Sequence, residues 1–170
     1  MRRWLGPLAT GFVAAAACHA AALHFTPAFI MDRAYTLIGE SGVPIHAFRL
    51  APQMRPDTQT VVRPSPDLAY SICRFDLDRA PDGLRVVMAA SNEYSSVSFY
   101  DARTNNFLTI RGKGKTREAT LYREGSRAAG TGGYSSPTDK GVVLIRRLAP
   151  TDAAYRDVER TAEGDRCEVL

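Results

Sequence analysis

The first acidic residue of the chain is Asp32, and the only charged side chains ahead of it are Arg2 and Arg3. From Leu5 to Met31 the sequence is apolar apart from Thr10, His19, His24 and Thr26. Its Gly6, Pro7, Gly11 and Pro27 are residues that a helix in lipid tolerates. At about 1.5 Å per residue this run extends ~40 Å, more than the roughly 30 Å of a bilayer's hydrocarbon core. It is therefore long enough to cross a membrane. Trp4 lies where an amphipathic indole favours the headgroup boundary, and the arginine pair favours the cytoplasmic side. The expected arrangement is a retained anchor with the N-terminus inside and the remaining chain outside.

Two other fates of this segment stay open. It also reads as a cleaved secretory signal, with an apolar stretch from Leu8 to Ala17 and Cys18-His19-Ala20 as a cleavage site. Cleavage there leaves Ala21 to Met31 as an apolar start to a soluble protein, which is unfavourable. Lipid modification of Cys18 is the third fate, although Ala15-Ala16-Ala17 lacks the large aliphatic residue expected ahead of such a site. His19 and His24 are five residues apart and do not share a helix face, so they are not expected to pair on a metal.

Beyond the apolar run, Phe29, Ile30, Ala34, Leu37 and Ile38 keep a helical spacing until Gly39 and Gly42, which predicts an anchor and stalk over residues 1–38. Residues 39–59 hold Pro44, Pro52 and Pro56 with no sustained period and read as a linker. Residues 60–170 read as a β-rich domain. Val61-Val62, Ala69–Leu77, Leu84–Ala90, Ser95–Tyr100, Phe107–Arg111, Ala119–Arg123 and Val142–Arg146 are rich in β-branched and aromatic residues. Asp82-Gly83, Asn105-Asn106, Gly112-Lys113-Gly114 and a glycine cluster at Gly130–Gly133 supply turns between them. Short strands at such intervals predict a mainly β fold, an antiparallel sandwich or open barrel. Pro150 and Thr151 then open a C-terminal helix with Ala154, Tyr155 and Val158 on one face and Thr151 as its cap.

Outside the anchor the cysteines are Cys73, in a predicted strand, and Cys167, near the C-terminus. Export would favour a disulfide between them, tying the tail to the sheet and stabilising by on the order of 4 kcal/mol through loop closure. Two unrelated thiols, one of them buried, are the alternative.

The net charge of +4 loses much of its force once Arg2 and Arg3 are set aside, because 20 of the 22 basic residues then face 18 acidic ones. The charges alternate along the chain instead of forming a basic face, which argues against a nucleic-acid partner. No G-x-S-x-G elbow or dinucleotide fingerprint occurs. Gly112-Lys113-Gly114-Lys115-Thr116 lacks the spacing of a phosphate loop and reads as an exposed basic turn. His46 is the one histidine outside the anchor, and it falls in the linker, so neither a Ser-His-Asp triad nor a histidine metal site can be built without it. No cofactor or metal is implied.

The segment Val61-Val62-Arg63-Pro64-Ser65-Pro66-Asp67-Leu68-Ala69-Tyr70-Ser71 resembles the bacterial family catalogued as domain of unknown function 1254. Ser136 to Arg147 is similar to that family's second recurring segment, and Tyr94 to Asn106 to the strand and turn between them. The resemblance covers roughly residues 60 to 160 and is to the short, membrane-anchored members. It implies a single-pass protein of the bacterial inner membrane with its C-terminal domain in the periplasm. Larger members join this domain to a companion domain, for which this chain has no room, so the resemblance implies a partner protein that supplies it.

The family carries no agreed chemistry, and the residues themselves must be weighed. Pro64 and Pro66 make a rigid, extended corner ahead of the first long strand. There Arg63, Asp67 and Tyr70 are candidate ligand-binding residues: Arg63 could fix an anion and Asp67 act as a base. Equally, Asp67 could bond the turn and Arg63 pair with a carboxylate. Asp101, Thr104, Asn105 and Asn106 read as a turn. Arg146, a further candidate ligand-binding residue, and Arg147 close a strand, so alternation sends one of the two inward, with Asp67 or Asp76 as its expected partner. The functional expectation is a non-catalytic envelope protein that binds a partner. A small-molecule-binding or hydrolytic domain with its pocket at the Arg-Pro-Ser-Pro-Asp segment is the alternative.

Overall fold

A computed structural model of the chain describes residues 2–55, 64–126 and 132–170. It holds an N-terminal helix, a nine-stranded β body in two sheets and a C-terminal helix. The mainly β reading stands. Val61-Val62 and, of the expected glycine-rich turn, Gly130 and Thr131 lie outside the described residues.

The apolar run and the stalk form one helix, α1 (Arg2–Glu40), continuous through Pro7 and Pro27. Its end is set by Gly42, whose φ of 88° places it in the left-handed region that a side chain disfavours. There the Gly42 N–H donates to the Gly39 carbonyl at 2.9 Å and the Val43 N–H to that of Ile38 at 3.2 Å. This pair of bonds closes the last turn as a Schellman motif. Trp4, Leu5, Leu8, Phe12, Val13, Leu23 and Phe25 are exposed along the helix, so its length and composition suit either a single-pass anchor or a signal sequence.

The first sheet runs in the order β1 (Arg49–Leu50), β2 (Leu68–Asp76), β8 (Lys140–Leu148), β4 (Ser95–Asp101), β5 (Asn106–Arg111). The second runs β7 (Tyr134–Ser136), β6 (Arg117–Arg123), β3 (Leu84–Met88), β9 (Arg166–Val169). Every strand pair is antiparallel except β6 with β7, which run parallel. Alternation sends Cys73 and Phe75 of β2, Val97 and Phe99 of β4, and Val143 and Ile145 of β8 toward Leu84, Val86, Met88 and Leu121 of the facing sheet. These side chains form one buried core, and full burial of each large one stabilises by about 1.5–3 kcal/mol. Gly141 permits the close packing of β8 with β4, since a Cβ there would lie 2.1 Å from the Tyr100 carbonyl and inside the Phe75 ring's contact distance.

Cys73 and Cys167 are joined by a disulfide that crosses this core from β2 to β9. It ties the last strand to the opposite sheet. Between β8 and β9 runs α2 (Asp152–Ala162), capped by Thr151, whose hydroxyl accepts from the Ala154 N–H. Ala154, Tyr155 and Val158 face Ala69 and Ala149 and close one end of the sandwich. The Tyr155 hydroxyl also donates to the Ala51 carbonyl at 2.6 Å.

Three strands carry too little pattern to be foreseen. β1 is two residues long, β7 three and β9 four, and all are held by neighbours distant in the sequence. The stretch expected as a linker thus contributes β1 along the edge of β2, preceded by an isolated bridge from Ile45 to Arg74.

Candidate functional site

At the start of β2, Pro66 sets the backbone for a turn in which the Leu68 N–H donates to the Ser65 carbonyl at 3.3 Å. The Ser65 N–H donates to the Tyr70 hydroxyl at 2.9 Å, and the Ala149 N–H to the Asp67 carbonyl at 2.7 Å. The corner is therefore held by the Tyr70 hydroxyl and the Asp67 backbone, with Asp67 itself exposed to solvent. Arg63 lies outside the described residues. The structure brings Tyr70 next to Arg146, directly across from it on β8, and leaves Asp67 at the sheet's rim.

Arg147 is the arginine that turns inward. Its partner is neither Asp67 nor Asp76 but Asp165, from the turn between α2 and β9. Nη1 donates to Oδ2 at 2.8 Å and Nη2 to Oδ1 at 2.6 Å, with both side chains at most 1% exposed. The Ala89 backbone completes the site, its carbonyl accepting from Nη2 at 3.2 Å and its N–H donating to Oδ1 at 3.0 Å. Asp76 could not serve, because it lies at the opposite end of β2. There it caps a single 3-10 turn (Leu77–Arg79) and stands 3.7 Å from Lys140. The bidentate pair ties β8, the end of β3 and the approach to β9 together, and removing one partner from such a pair costs about 3–5 kcal/mol.

Arg146 points to the other face of the same sheet. Its Nη2 donates to the Ser98 hydroxyl at 2.9 Å, which lies 3.0 Å from the Thr109 hydroxyl. Ser96, also on this face, is 3.1 Å from the Tyr94 hydroxyl. Arg146 Nε is buried without a hydrogen-bond partner, and among the described residues no carboxylate pairs with the guanidinium. Around it stand half-buried Ile72, Leu144 and Leu148. The Tyr70 hydroxyl accepts from Ser65, which leaves its own proton available. This face thus combines an apolar surround with a part-buried, uncompensated cation and hydroxyl donors, the composition of a surface that receives a carboxylate.

The far end of β2 carries a second polar cluster, where α1 meets the sheets. Arg74 stacks on the Tyr35 ring at 4.9 Å and donates through Nε to the Val43 carbonyl at 3.0 Å. His46 adopts a left-handed φ of 60°, and its Nε2 lies 3.0 Å from both the Asp76 N–H and carbonyl. Burial lowers the pKa of His46 below its ordinary value, against the opposing pull of Asp76. A pocket of about 260 Å³ lies beside this cluster, lined by Met31, Tyr35, Ala102 and Lys140 among others. None of Asp67, Tyr70 or Arg146 lines it. The alternation of Arg74 on β2 was visible in the sequence, but its helix partner was not, because the contact joins residues 39 apart.

No curated protein matches the sequence. Among solved structures, the chain is similar in fold to a protein from Vibrio parahaemolyticus, with a TM-score of 0.58 at 13% identity over 85% of this chain. An uncharacterised protein from Burkholderia cenocepacia aligns over 78% of this chain at 15% identity and a TM-score of 0.45. The chain spans only 37% and 38% of the lengths of these two proteins. The family model described as "Protein of unknown function (DUF1254)" matches residues 45–168, which include both sheets, α2 and the corner at Pro64–Tyr70. The chain belongs to that family.

Proposed function

We propose that the protein is a membrane-anchored, non-catalytic module of the bacterial envelope. On this reading α1 is retained in the inner membrane, the β body stands in the periplasm, and the body binds a partner that carries the family's companion domain. The observation that carries the binding role is the outer face of the five-stranded sheet, where Arg146, amid Ile72, Leu144 and Leu148, has no carboxylate partner among the described residues. An isolated domain normally pairs a part-buried guanidinium with an acid of its own, as Arg147 does with Asp165. A partner that brings an acidic side chain and an apolar surround to this face would satisfy both features.

The test is photocrosslinking in the native membrane, with the photoreactive residue placed at Leu144 and, as control, at Val87 on the outer face of the other sheet. We expect a protein with the companion domain to be captured from position 144 and not from position 87. Recovery of no such protein at 144, or equal recovery at both positions, overturns the proposal.

A further inference from the structure

We propose that the turn joining β4 to β5 is a second contact with the membrane, in which Arg103 binds the phosphate of anionic lipid headgroups beside the exit point of α1. The inference rests on the reading of α1 as a retained anchor. A domain on a flexible tether samples many orientations, but here the helix runs unbroken from the apolar segment to Glu40. It is also fixed to the body at successive heights. Arg103 Nη2 lies 3.2 Å from His24 Nε2, Met31 is buried, and the Tyr35 hydroxyl donates to the Phe75 carbonyl at 3.3 Å. Eleven residues of helix separate the first of these contacts from the last, roughly 16 Å of shared length, so the body cannot pivot about a single point.

The lowest contact falls inside the apolar run. Counting from Leu5, the ~20 residues that fill a hydrocarbon core end at about His24, the residue that Arg103 touches. Arg103 is thereby set at the boundary between core and headgroups. In the next two turns of α1, Phe25, Phe29 and Ile30 remain 66%, 73% and 53% exposed, which suits the interfacial layer and not bulk water.

The turn itself is built to present the arginine. The Asp101 carboxylate is 3% exposed as a residue and accepts from the Arg103 N–H at 2.8 Å, the Asn105 N–H at 2.9 Å and Asn105 Nδ2 at 2.8 Å. It is engaged with the backbone and does not neutralise the Arg103 guanidinium. That group is exposed, has the His24 ring as its neighbour, and pairs with no carboxylate among the described residues. Arg33 adds a second exposed cation one turn above Phe29, opposed by Asp32 beside it. A planar guanidinium held at this depth matches phosphate oxygens in a bidentate way.

The experiment uses the full chain in proteoliposomes of phosphatidylcholine, with or without one quarter phosphatidylglycerol, and with a trace of headgroup-nitroxide lipid. Cys18→Ser removes the free thiol while the disulfide is retained, and Thr104→Cys or Lys113→Cys carries a bimane label at either end of β5. We expect the nitroxide to quench the label at 104 at least twofold more than at 113, with a further increase in the anionic vesicles. Arg103→Glu should bring position 104 down to the level of 113, in protein whose Cys73–Cys167 bond remains intact by non-reducing mass spectrometry. Equal quenching at the two positions, or quenching at 104 that ignores Arg103→Glu and lipid charge, overturns the inference. Alkaline carbonate extraction of the same vesicles separates the two possible failures. Release of the intact chain overturns the anchor and this inference together, whereas a chain that stays pelleted with unquenched position 104 leaves the anchor standing and removes only the lipid contact.

Discussion

Arg146 and Arg147 are adjacent on one strand and separated by the thickness of one sheet. On the inner side, Arg147 meets Asp165 in a bidentate pair with both side chains at most 1% exposed, close to a disulfide that crosses the core. On the outer side, Arg146 has a serine hydroxyl and an unpartnered Nε. Nε is unpartnered in both arginines, so the difference between them is the carboxylate: among the described residues Arg147 meets one and Arg146 meets none. A buried guanidinium that meets an acid of its own fastens the fold, whereas a part-buried one without such an acid leaves its charge to solvent or to the partner proposed above.

The comparison is tested most severely at the disulfide. It closes a separation of 94 residues, which in the chain-entropy model contributes about 4–5 kcal/mol. Cys73→Ser with Cys167→Ser should therefore lower the unfolding free energy by several kcal/mol in urea titrations of the intact protein. A loss under ~1 kcal/mol would mean that the inner face holds without its covalent tie. Next comes Asp165→Ala, which strands the Arg147 charge in the core and should cost about 3–5 kcal/mol. Replacing Arg147 and Asp165 together by apolar residues should cost much less than Asp165→Ala alone. If the double replacement is as damaging as the single one, the cost lies in packing and not in the unpaired charge.

How much of this was legible beforehand follows the same division. The six longer strands and the capped C-terminal helix announce themselves through alternation, turn residues and the Thr151 cap, all local signals. The short strands β1, β7 and β9 do not, because four residues or fewer carry no period and their partners are remote in sequence. Alternation also showed that Arg146 and Arg147 must part, but it could not name Asp165. That residue sits in a turn after α2, and only the folding of α2 across the end of the sandwich brings it beneath β3. The Asp101 cluster was readable as a turn because its bonds span four residues or fewer, whereas the contact of Arg103 with His24 joins residues 79 apart.

A smaller effect is expected at the edge of β2, where His46 fastens the incoming chain to Asp76. Burial holds the His46 pKa below its ordinary 6.5. The unfolded chain therefore takes up a proton before the folded one does, and stability should fall as pH drops from 6.5 toward the lowered value, then level off. Urea midpoints from pH 8 to pH 5 should show this loss, and His46→Gln should reduce it. A midpoint that rises as pH falls below 6.5 would reverse the assignment.

The smallest expected change in stability is also the one that bears most directly on the proposed binding face. Arg146→Met keeps much of the side chain's length, removes the unpartnered Nε and extends an apolar surround of Ile72, Leu144 and Leu148. With no ion pair to break among the described residues, it should alter the unfolding free energy by no more than about 0.5 kcal/mol in either direction. The matching substitution next to it, Arg147→Met, strands Asp165 and should be several kcal/mol worse. If Arg146→Met proves equally costly, Arg146 serves the fold and the outer face loses its main claim to be a docking surface. If it is silent in urea yet abolishes capture from Leu144, stability and binding have been assigned to opposite faces of one sheet by a one-residue step along a strand.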